Sequence, residues 1–556
     1  MNEPINPHIQ PADQPGHASQ PNNPYAGIFQ SPSQRGTPDQ APAAPSTIFA
    51  VPPMKPSIPV PFDGIDTLFA LLTLLGGCLF IWLVNWFHLG IGVPLFTLYF
   101  CVLALCYFRH RGIPPARSSF VILCLMLFSA ANFTVIANNM LKTLNLLFLM
   151  LLAVYWVGSI ASTRMEPKLG QYLGSDLINH IFVIPFRNFG CGGKIIKENV
   201  KKSSKSKTLL FTFIGILISI PLLGVIIGLL MQADGAFEQM MRNITDHLGR
   251  WLWEFVWRLP LSILVACYLF GLLYGTAHKR LTKTMTVSDI QSARKNRKIL
   301  PFPLVATVLS LLCAVYVLFF IAQSSTLFTA FSNMRPDGTT YAEFARRGFF
   351  ELCAVAAINL VVNIVVLVFS SYSEKTLPPV LKALNILLCC ETLLLIITAI
   401  SKMALYIRNY GLTPKRVYTS WFMVLLFAVF VLLIAAQFKK FNFAKSLSIT
   451  FSVLFLVLCW SNVDSLIASY NINRYTAGTL QELDVDALYQ IRDAAKPQAL
   501  KLYNKLSADD PLREELAQLL RSGRYYYEES SFQSFNIQEM RAFQITKEFI
   551  QANGNE

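Results

Sequence analysis

Long apolar segments, separated by short and mostly basic loops, follow one another between residues 67 and 466. A segment that crosses the hydrocarbon core of a bilayer must satisfy its own backbone polar groups, which a helix of about 20 apolar residues does. Most segments meet or approach that length. Charged residues make up 14% of the chain, whereas soluble proteins carry about 25%. The sequence therefore predicts an all-α fold, a polytopic transmembrane helix bundle in a lipid bilayer.

We expect about eleven spans. They cover residues 67–87, 91–108, 118–137, 141–161, 208–231, 257–277, 300–323, 349–370, 380–400, 417–437 and 447–466. The apolar pattern is least regular in 91–108, which contains Pro94, and in 257–277, which begins with Arg258 and Pro260. An error in either span would move the C-terminus to the other side of the membrane.

The composition divides the chain into three regions. Residues 1–62 are rich in Pro, Gln and Asn, have few apolar side chains to bury, and are expected to be disordered. Residues 63–466 form the membrane bundle, and 467–556 form a small, soluble, helical C-terminal appendage. In that appendage Asp510 precedes Pro511, and Asn536 precedes an amphipathic stretch, so each is expected to cap a helix.

The distribution of basic residues predicts the orientation. The loops 162–207 and 278–299 are the richest in Lys and Arg, which places them and the N-terminus in the cytoplasm of a multi-pass cell-membrane protein. Such loops either fix topology, the simpler interpretation, or bind anionic lipids.

The net charge of +15 lies mainly in these loops, so we expect no nucleic-acid partner. The N-terminal tail is either a tether or a docking segment for a protein partner.

Charged residues cluster at the entry to the span 349–370. Glu343, Arg347 and Glu351 are four residues apart and so share one helical face, with Arg346 beside them. An acid drawn into a membrane needs a partner, and Arg347 is the expected partner of Glu351. The functional interpretation is a gate or an anion- or proton-binding site, and the structural one is a self-neutralising helix entry.

Further polar residues lie within or beside spans. Glu391 follows Cys389 and Cys390 in an otherwise apolar helix and has no basic residue within one turn. Asp464 lies near the end of the last span, and Arg408 lies in a basic segment between two spans. Polar groups in hydrocarbon either serve function or join helices. The candidate polar site therefore comprises Glu343, Arg346, Arg347, Glu351, Glu391, Arg408 and Asp464.

No motif indicates an enzyme. The seven His residues are scattered without metal-ligand spacing, and the sequence has no HExxH, GxSxG or Walker A motif. Ten of the eleven Cys residues lie in predicted spans, where they act as small apolar residues. We expect no catalytic residues, no metal and no cofactor.

Three blocks resemble a known bacterial family. Tyr341–Leu352 reads YAEFARRGFFEL, Tyr406–Arg416 reads YIRNYGLTPKR and Asn462–Tyr475 reads NVDSLIASYNINRY. They are similar to blocks of the family known as domain of unknown function 4173, of which domain of unknown function 4153 is a near relative. The resemblance implies a bacterial plasma-membrane protein and no mechanism. Phe344 and Ser469 depart from the residues common in that family.

The predicted topology places all three blocks on the outer side, which suggests one shared site. The leading hypothesis is a non-enzymatic protein that transports or senses a small solute or a lipid. The alternative is an envelope scaffold or signalling partner that binds through its tails or basic loops. Transport predicts that Glu391→Gln abolishes function while the tails are dispensable, and a scaffold predicts the reverse.

Overall fold

The computed structural model of the chain describes residues 60–554 except 87, 167–168, 203, 283–286, 297–298, 325–348, 370–377 and 524–530. Between 200 and 257 it describes the helical backbone and some of the side chains. Regular elements in these ranges are helices, and no β-strand occurs among them. The predicted disordered tail, 1–62, falls almost entirely outside the described residues.

Twenty α-helices occur in the described ranges. The first ten are α1 (Gly64–Leu83), α2 (Gly92–His110), α3 (Arg117–Val135), α4 (Asn139–Ile160), α5 (Leu173–Ile178), α6 (Ile184–Arg187), α7 (Cys191–Lys202), α8 (Ser204–Ala233), α9 (Gly235–Ala277) and α10 (Val287–Asn296). The others are α11 (Phe302–Ala322), α12 (Phe349–Phe369), α13 (Pro379–Tyr410), α14 (Pro414–Phe438), α15 (Phe443–Trp460), α16 (Val463–Thr476), α17 (Val485–Ile491), α18 (Lys496–Tyr503), α19 (Pro511–Arg521) and α20 (Ile537–Asn553).

Side-chain caps fix where several helices begin. Asp63 accepts a hydrogen bond from the Asp66 amide at 3.0 Å, and the Asp66 side chain accepts one from the Asp63 amide, which forms a capping box at α1. Asn138 caps α4 through the Leu141 amide. The predicted caps at Asp510 and Asn536 are confirmed, since their side chains accept amide hydrogen bonds at the starts of α19 and α20.

Ten helices of the described ranges are long and apolar enough to cross a membrane, and they match ten of the eleven expected spans. The expected span 208–231 lies on α8, where about half of the side chains are described. The expected end of the last span at residue 466 is wrong. That helix stops at Trp460, Asn462 takes a left-handed backbone conformation with φ 47°, and α16 starts at Val463. Val463, Ile467 and Ile472, beyond Trp460, are buried in a core that they share with C-terminal helices.

The membrane helices form two packed groups. In the first, α1–α4 and α9 share one apolar core, in which α1 lies along α9. In the second, α11–α14 pack around a separate core, and α14 also packs on α15. The groups meet where α15 contacts α3 and α4, with Phe148 of α4 against Phe455 of α15.

The C-terminal region docks on one end of this bundle. The Asn536 side chain donates to the carbonyls of Phe133 and Ile136, which end α3. Gln538 accepts from the Ala137 amide at 2.9 Å. Buried apolar residues of α16–α20 form one core. The expected boundary between 466 and 467 stays a prediction, and α16 runs across it.

Candidate functional site

A cleft of about 1540 Å³ lies at the end of the bundle where the C-terminal region docks. Its walls come from the turn before α4, the start of α12, the end of α13, the start of α14, the start of α16 and the C-terminal region. Because neighbouring spans alternate in direction, these termini all lie at the same end of the bundle. The cleft is therefore assembled from both helix groups and the C-terminal region together.

Asp464 lies in the wall of the cleft. It is 7% exposed, and its Oδ2 accepts a hydrogen bond of 2.8 Å from Asn138, which also donates to the Tyr418 hydroxyl at 2.7 Å. Its Oδ1 is buried and has no hydrogen-bond partner among the described residues. Burial raises the pKa of the Asp464 carboxyl to about 6, although the hydrogen bond from Asn138 lowers it. The wall of the cleft thus contains a buried carboxyl with one unpaired oxygen.

Two almost fully buried lysines lie at the cleft, and Lys496 and Glu539 are part of its lining. Lys142 of α4 is 2% exposed and pairs with Glu539 of α20 at 3.0 Å. Lys496, at the start of α18, donates to the Ser522 carbonyl at 2.6 Å and to the Thr546 hydroxyl at 2.8 Å. Burial lowers the pKa of Lys496. These partners come from helices far apart in the chain, so the lysines hold the C-terminal region against the bundle.

Aromatic and basic residues line the mouth of the cleft. Arg416 stacks over the Tyr406 ring, 4.1 Å from its centroid, and donates to the carbonyls of Tyr410 and Gly411. Phe349 and Lys415 line the same opening. Since Arg416 is engaged with the end of α13, Lys415 provides the more mobile positive charge.

The three sequence blocks converge on this cleft. The first contributes Phe349 and Phe350, the second contributes Tyr406 and residues 413–416, and the third contributes Asp464. The described part of each block lines this one cleft, and the outer side of the membrane and a shared functional site stay predictions.

The structure separates the seven candidate residues. Glu343, Arg346 and Arg347 lie outside the described residues. Glu351 is exposed and within electrostatic range of Lys402.

Of the other candidates, only Asp464 lines the cleft. The Arg408 side chain is exposed, and its carbonyl accepts a hydrogen bond of 2.7 Å from Arg474. Glu391 is buried near the middle of α13, away from the cleft. The candidate residues therefore lie in at least two separate parts of the structure. A functional role for either part stays a prediction.

A buried polar cluster at the opposite end of the bundle was missed by sequence reasoning. Asp66 of α1 is fully buried and accepts a hydrogen bond from the Tyr107 hydroxyl at 2.7 Å. When His278 Nε2 carries a proton, it donates a second hydrogen bond to Asp66 at 3.2 Å. Arg111 forms an ion pair with Asp66 and two hydrogen bonds with Asp63. Apart from the Asp63–Asp66 and Tyr107–Arg111 pairs, these residues are 40 or more positions apart, so local spacing does not show that they form one cluster.

Lys142 and Lys496 were also missed. Lys142 is the one charged residue of α4, and a single lysine in an apolar helix could have flagged it. Lys496 lies in a polar segment, where nothing marks it as buried. Among the described residues no group of three or more His, Cys, Asp or Glu side chains is placed to hold a metal ion.

A helical bundle with ten candidate spans and a polar cleft at one end defines a multi-pass integral membrane protein. Residues 120–502 match the family described as Domain of unknown function (DUF4153), and the chain belongs to this family. The sequence blocks had indicated domain of unknown function 4173, and that prediction was wrong, because the matching family is DUF4153. All three blocks lie inside the matched residues, whereas α1, α2, α19 and α20 lie outside them. No curated protein and no solved structure matches the chain.

Proposed function

We propose that this protein binds a small zwitterionic solute or lipid head group in the cleft and transports or senses it. The observation that carries the proposal is the buried Asp464 carboxyl, whose Oδ1 has no partner among the described residues and which lines the cleft. A buried acceptor without a partner is costly unless a ligand supplies a donor.

An ammonium group fits this inner part of the cleft. It would donate to Asp464 Oδ1, and its positive charge is compatible with the aromatic ring of Tyr418, which shares the Asn138 side chain with Asp464. The ionised carboxylate would gain a counter-charge inside a largely buried site, where charge pairs are stronger than in water.

An anionic group fits the mouth. Lys415 and Arg492 line the cleft, and both carry positive charge at the side nearest the solvent. A phosphate or carboxylate attached to the ammonium group would then be matched at its other end. This pairing of an inner acid with outer cations favours a zwitterion over a simple cation or anion.

The proposal also covers the side of the membrane that the cleft faces and the question whether the protein is an enzyme. The cleft faces the outer side of a bacterial plasma membrane, the N-terminus is cytoplasmic, and the protein is not an enzyme. Anionic lipids at the basic loops and a protein partner of the N-terminal tail remain further proposals without support from the described contacts. An envelope scaffold would offer its C-terminal helices to a partner, but α20 contacts this chain's own α3.

Phosphoethanolamine, which has an ammonium and a phosphate group, is a suitable soluble probe. Its binding to the full-length protein in phosphatidylcholine nanodiscs can be measured by titration calorimetry. We expect Asp464→Asn to weaken binding about tenfold or more, the equivalent of one lost charge-assisted contact. Lys415→Gln tests the anionic end in the same way.

Asp509→Asn is the matched control, because Asp509 is an exposed acid of the C-terminal region that does not line the cleft. It should bind the probe like the wild type. Unchanged binding in both Asp464→Asn and Lys415→Gln, or no binding by the wild type, would contradict the proposal. Comparison with nanodiscs that contain phosphatidylethanolamine distinguishes a lipid head group, which would compete with the probe, from a free solute.

A further inference from the structure

Glu391 is a buried acid near the middle of the membrane helix α13. Its side chain is 4% exposed, and neither carboxyl oxygen has a hydrogen-bond partner among the described residues. It lies roughly 18 Å from the start of α13 and roughly 28 Å from its end, by the rise per residue of a helix. Both distances place it deep in the bilayer.

The helices around Glu391 bring no cation to this level. The sequence of α11 contains no charged residue, α12 carries only Glu351 near its start, and the basic residues of α14 are in its first turn. On α13 itself, the nearest lysines are Lys382 and Lys402, roughly 14 and 17 Å away along the axis. Among the described residues, no salt bridge reaches Glu391.

The titratable groups that face Glu391 are neutral ones. The Cys313 thiol of α11 is close enough to interact with the Glu391 carboxyl as a weak hydrogen-bond donor, Tyr316 of α11 is within electrostatic range, and Cys389 and Cys390 precede Glu391 on α13. Among the described residues, α12 and α14 bring no titratable side chain to this level. The protonation of Glu391 is therefore set mainly by its own surroundings.

Several polar groups beside Glu391 are hydrogen-bonded to one another, whereas Asn385 Oδ1, nearly two turns earlier on α13, has no partner among the described residues. Tyr316 donates to Asn359 at 2.8 Å, Asn359 donates to the Thr392 hydroxyl at 2.9 Å, and Thr392 donates to a backbone carbonyl at 2.6 Å. Asn363 donates to the Asn359 carbonyl at 2.8 Å. This network joins α11, α12 and α13 and leaves Glu391 as an acid beside it with unused hydrogen-bonding capacity.

An ionised carboxylate in a low-dielectric interior without a cation is strongly disfavoured, and such a group takes up a proton instead. We propose that Glu391 is a proton-binding site in the middle of the membrane, which takes up a proton in the packed state and releases it when the helices around it admit water. Proton uptake changes the charge of the Glu391 side chain from −1 to 0. A transporter could use that change to couple solute movement to a proton gradient.

This proposal does not depend on the cleft. Met403, which lines the cleft, is about 18 Å further along α13 than Glu391. Failure of the probe to bind in the cleft would leave the proton site standing, and the reverse also holds.

A hydrophobic carbodiimide tests the proposal directly, because it enters the bilayer and reacts with protonated carboxyl groups. The full-length protein in nanodiscs is treated with dicyclohexylcarbodiimide over a range of pH, and the peptide that contains Glu391 is quantified by mass spectrometry. We expect labelling at neutral pH that falls several-fold as the pH becomes alkaline. Glu391→Gln should abolish it, while Glu351→Gln, which changes the exposed acid of α12, should leave it intact.

Each other outcome overturns the proposal. Absence of labelling at every pH would show that Glu391 is permanently ionised or inaccessible. Labelling that does not change with pH would show a permanently protonated structural acid. Protection by sodium ions but not by potassium ions would show a cation site in its place.

Discussion

Asn471 holds Leu412 by both of its main-chain groups. The Asn471 Oδ1 accepts from the Leu412 amide at 2.7 Å, and the Asn471 Nδ2 donates to the Leu412 carbonyl at 2.8 Å. Asn471 is 1% exposed, so both hydrogen bonds are protected from water. The pair joins the second sequence block to the third and fixes the turn between α13 and α14. Tyr406 near the end of α13, and Lys415 and Arg416 at the start of α14, line the mouth of the cleft.

Substitution of Gly411 should break this turn. Gly411 has φ 74° and ψ −176°, a region that is essentially restricted to glycine, and an added Cβ would lie 2.6 Å from Asn471 Oδ1. We expect Gly411→Ala to lower the free energy of unfolding by about 3 kcal/mol or more. Thermal unfolding of the solubilised protein measures the loss.

Gly478→Ala is the matched control for that substitution. Gly478 also has a positive φ, 68°, but an added Cβ would meet no atom within 4 Å. Its cost should be limited to the backbone conformation, about 1 kcal/mol. Equal losses in the two variants would refute the role of the Asn471 contact.

The pair Lys142–Glu539 should behave as a buried salt bridge. Loss of Glu539 leaves the charge of Lys142, which is 2% exposed, buried and unpaired, so Glu539→Gln should cost about 3–5 kcal/mol. The double variant Lys142→Met/Glu539→Gln should recover part of that loss. Lys501→Met, at an exposed position of α18, is the control and should have little effect. Additive effects of the two substitutions in a double-mutant cycle would show that the ion pair contributes nothing.

The side of the C-terminus is a direct test of the topology. Eleven spans with a cytoplasmic N-terminus place Glu556 and the cleft outside the cell. A reporter fused after Glu556 that is active only in the cytoplasm should be silent, and one active only outside should give signal. The reverse result would mean that the number of spans is even, and the cleft would then face the cytoplasm.

The sequence was sufficient for the spans because their signal is local. About twenty apolar residues in succession identify a membrane helix without knowledge of its neighbours, and ten of the expected spans are helices in the structure. The error at the end of the last span has the same origin. Ile467 and Ile472 are as apolar as lipid-facing residues, but they bury in the core of the C-terminal region.

The site could be predicted only in part because its contacts are not local. The sequence blocks identified Asp464 and the second block as parts of one site. They could not show that Asn138, more than 300 residues earlier, donates a hydrogen bond to the Asp464 carboxyl. Nor did they separate Glu391 from the cleft, because residue spacing shows the face of a helix and not its neighbours. Long-range pairs such as Lys142 with Glu539 require the packed structure.

The buried cluster at the other end of the bundle predicts unequal effects for two neighbouring acids. Asp66→Asn removes a fully buried charge that pairs with Arg111, which is 17% exposed, and we expect a loss of about 3 kcal/mol. Asp63→Asn retains a good helix cap and changes a half-exposed side chain, so its cost should be at most about 1 kcal/mol. Unfolding of both variants in parallel measures the difference. A larger loss for Asp63→Asn would contradict the assignment of the central position to Asp66.

Stability should depend on pH through Asp464. Its pKa is about 6 in the folded protein, above the ordinary value of 3.8, so the folded state binds the proton more tightly than the unfolded state. The resulting stabilisation is complete below about pH 4 and is lost as the pH rises through about 6, by roughly 3 kcal/mol in total. Asp464→Asn lacks this titration. Thermal unfolding of both proteins across this range should therefore show the variant gaining stability relative to the wild type as the pH rises, and parallel curves would mean that folding does not raise the pKa of Asp464.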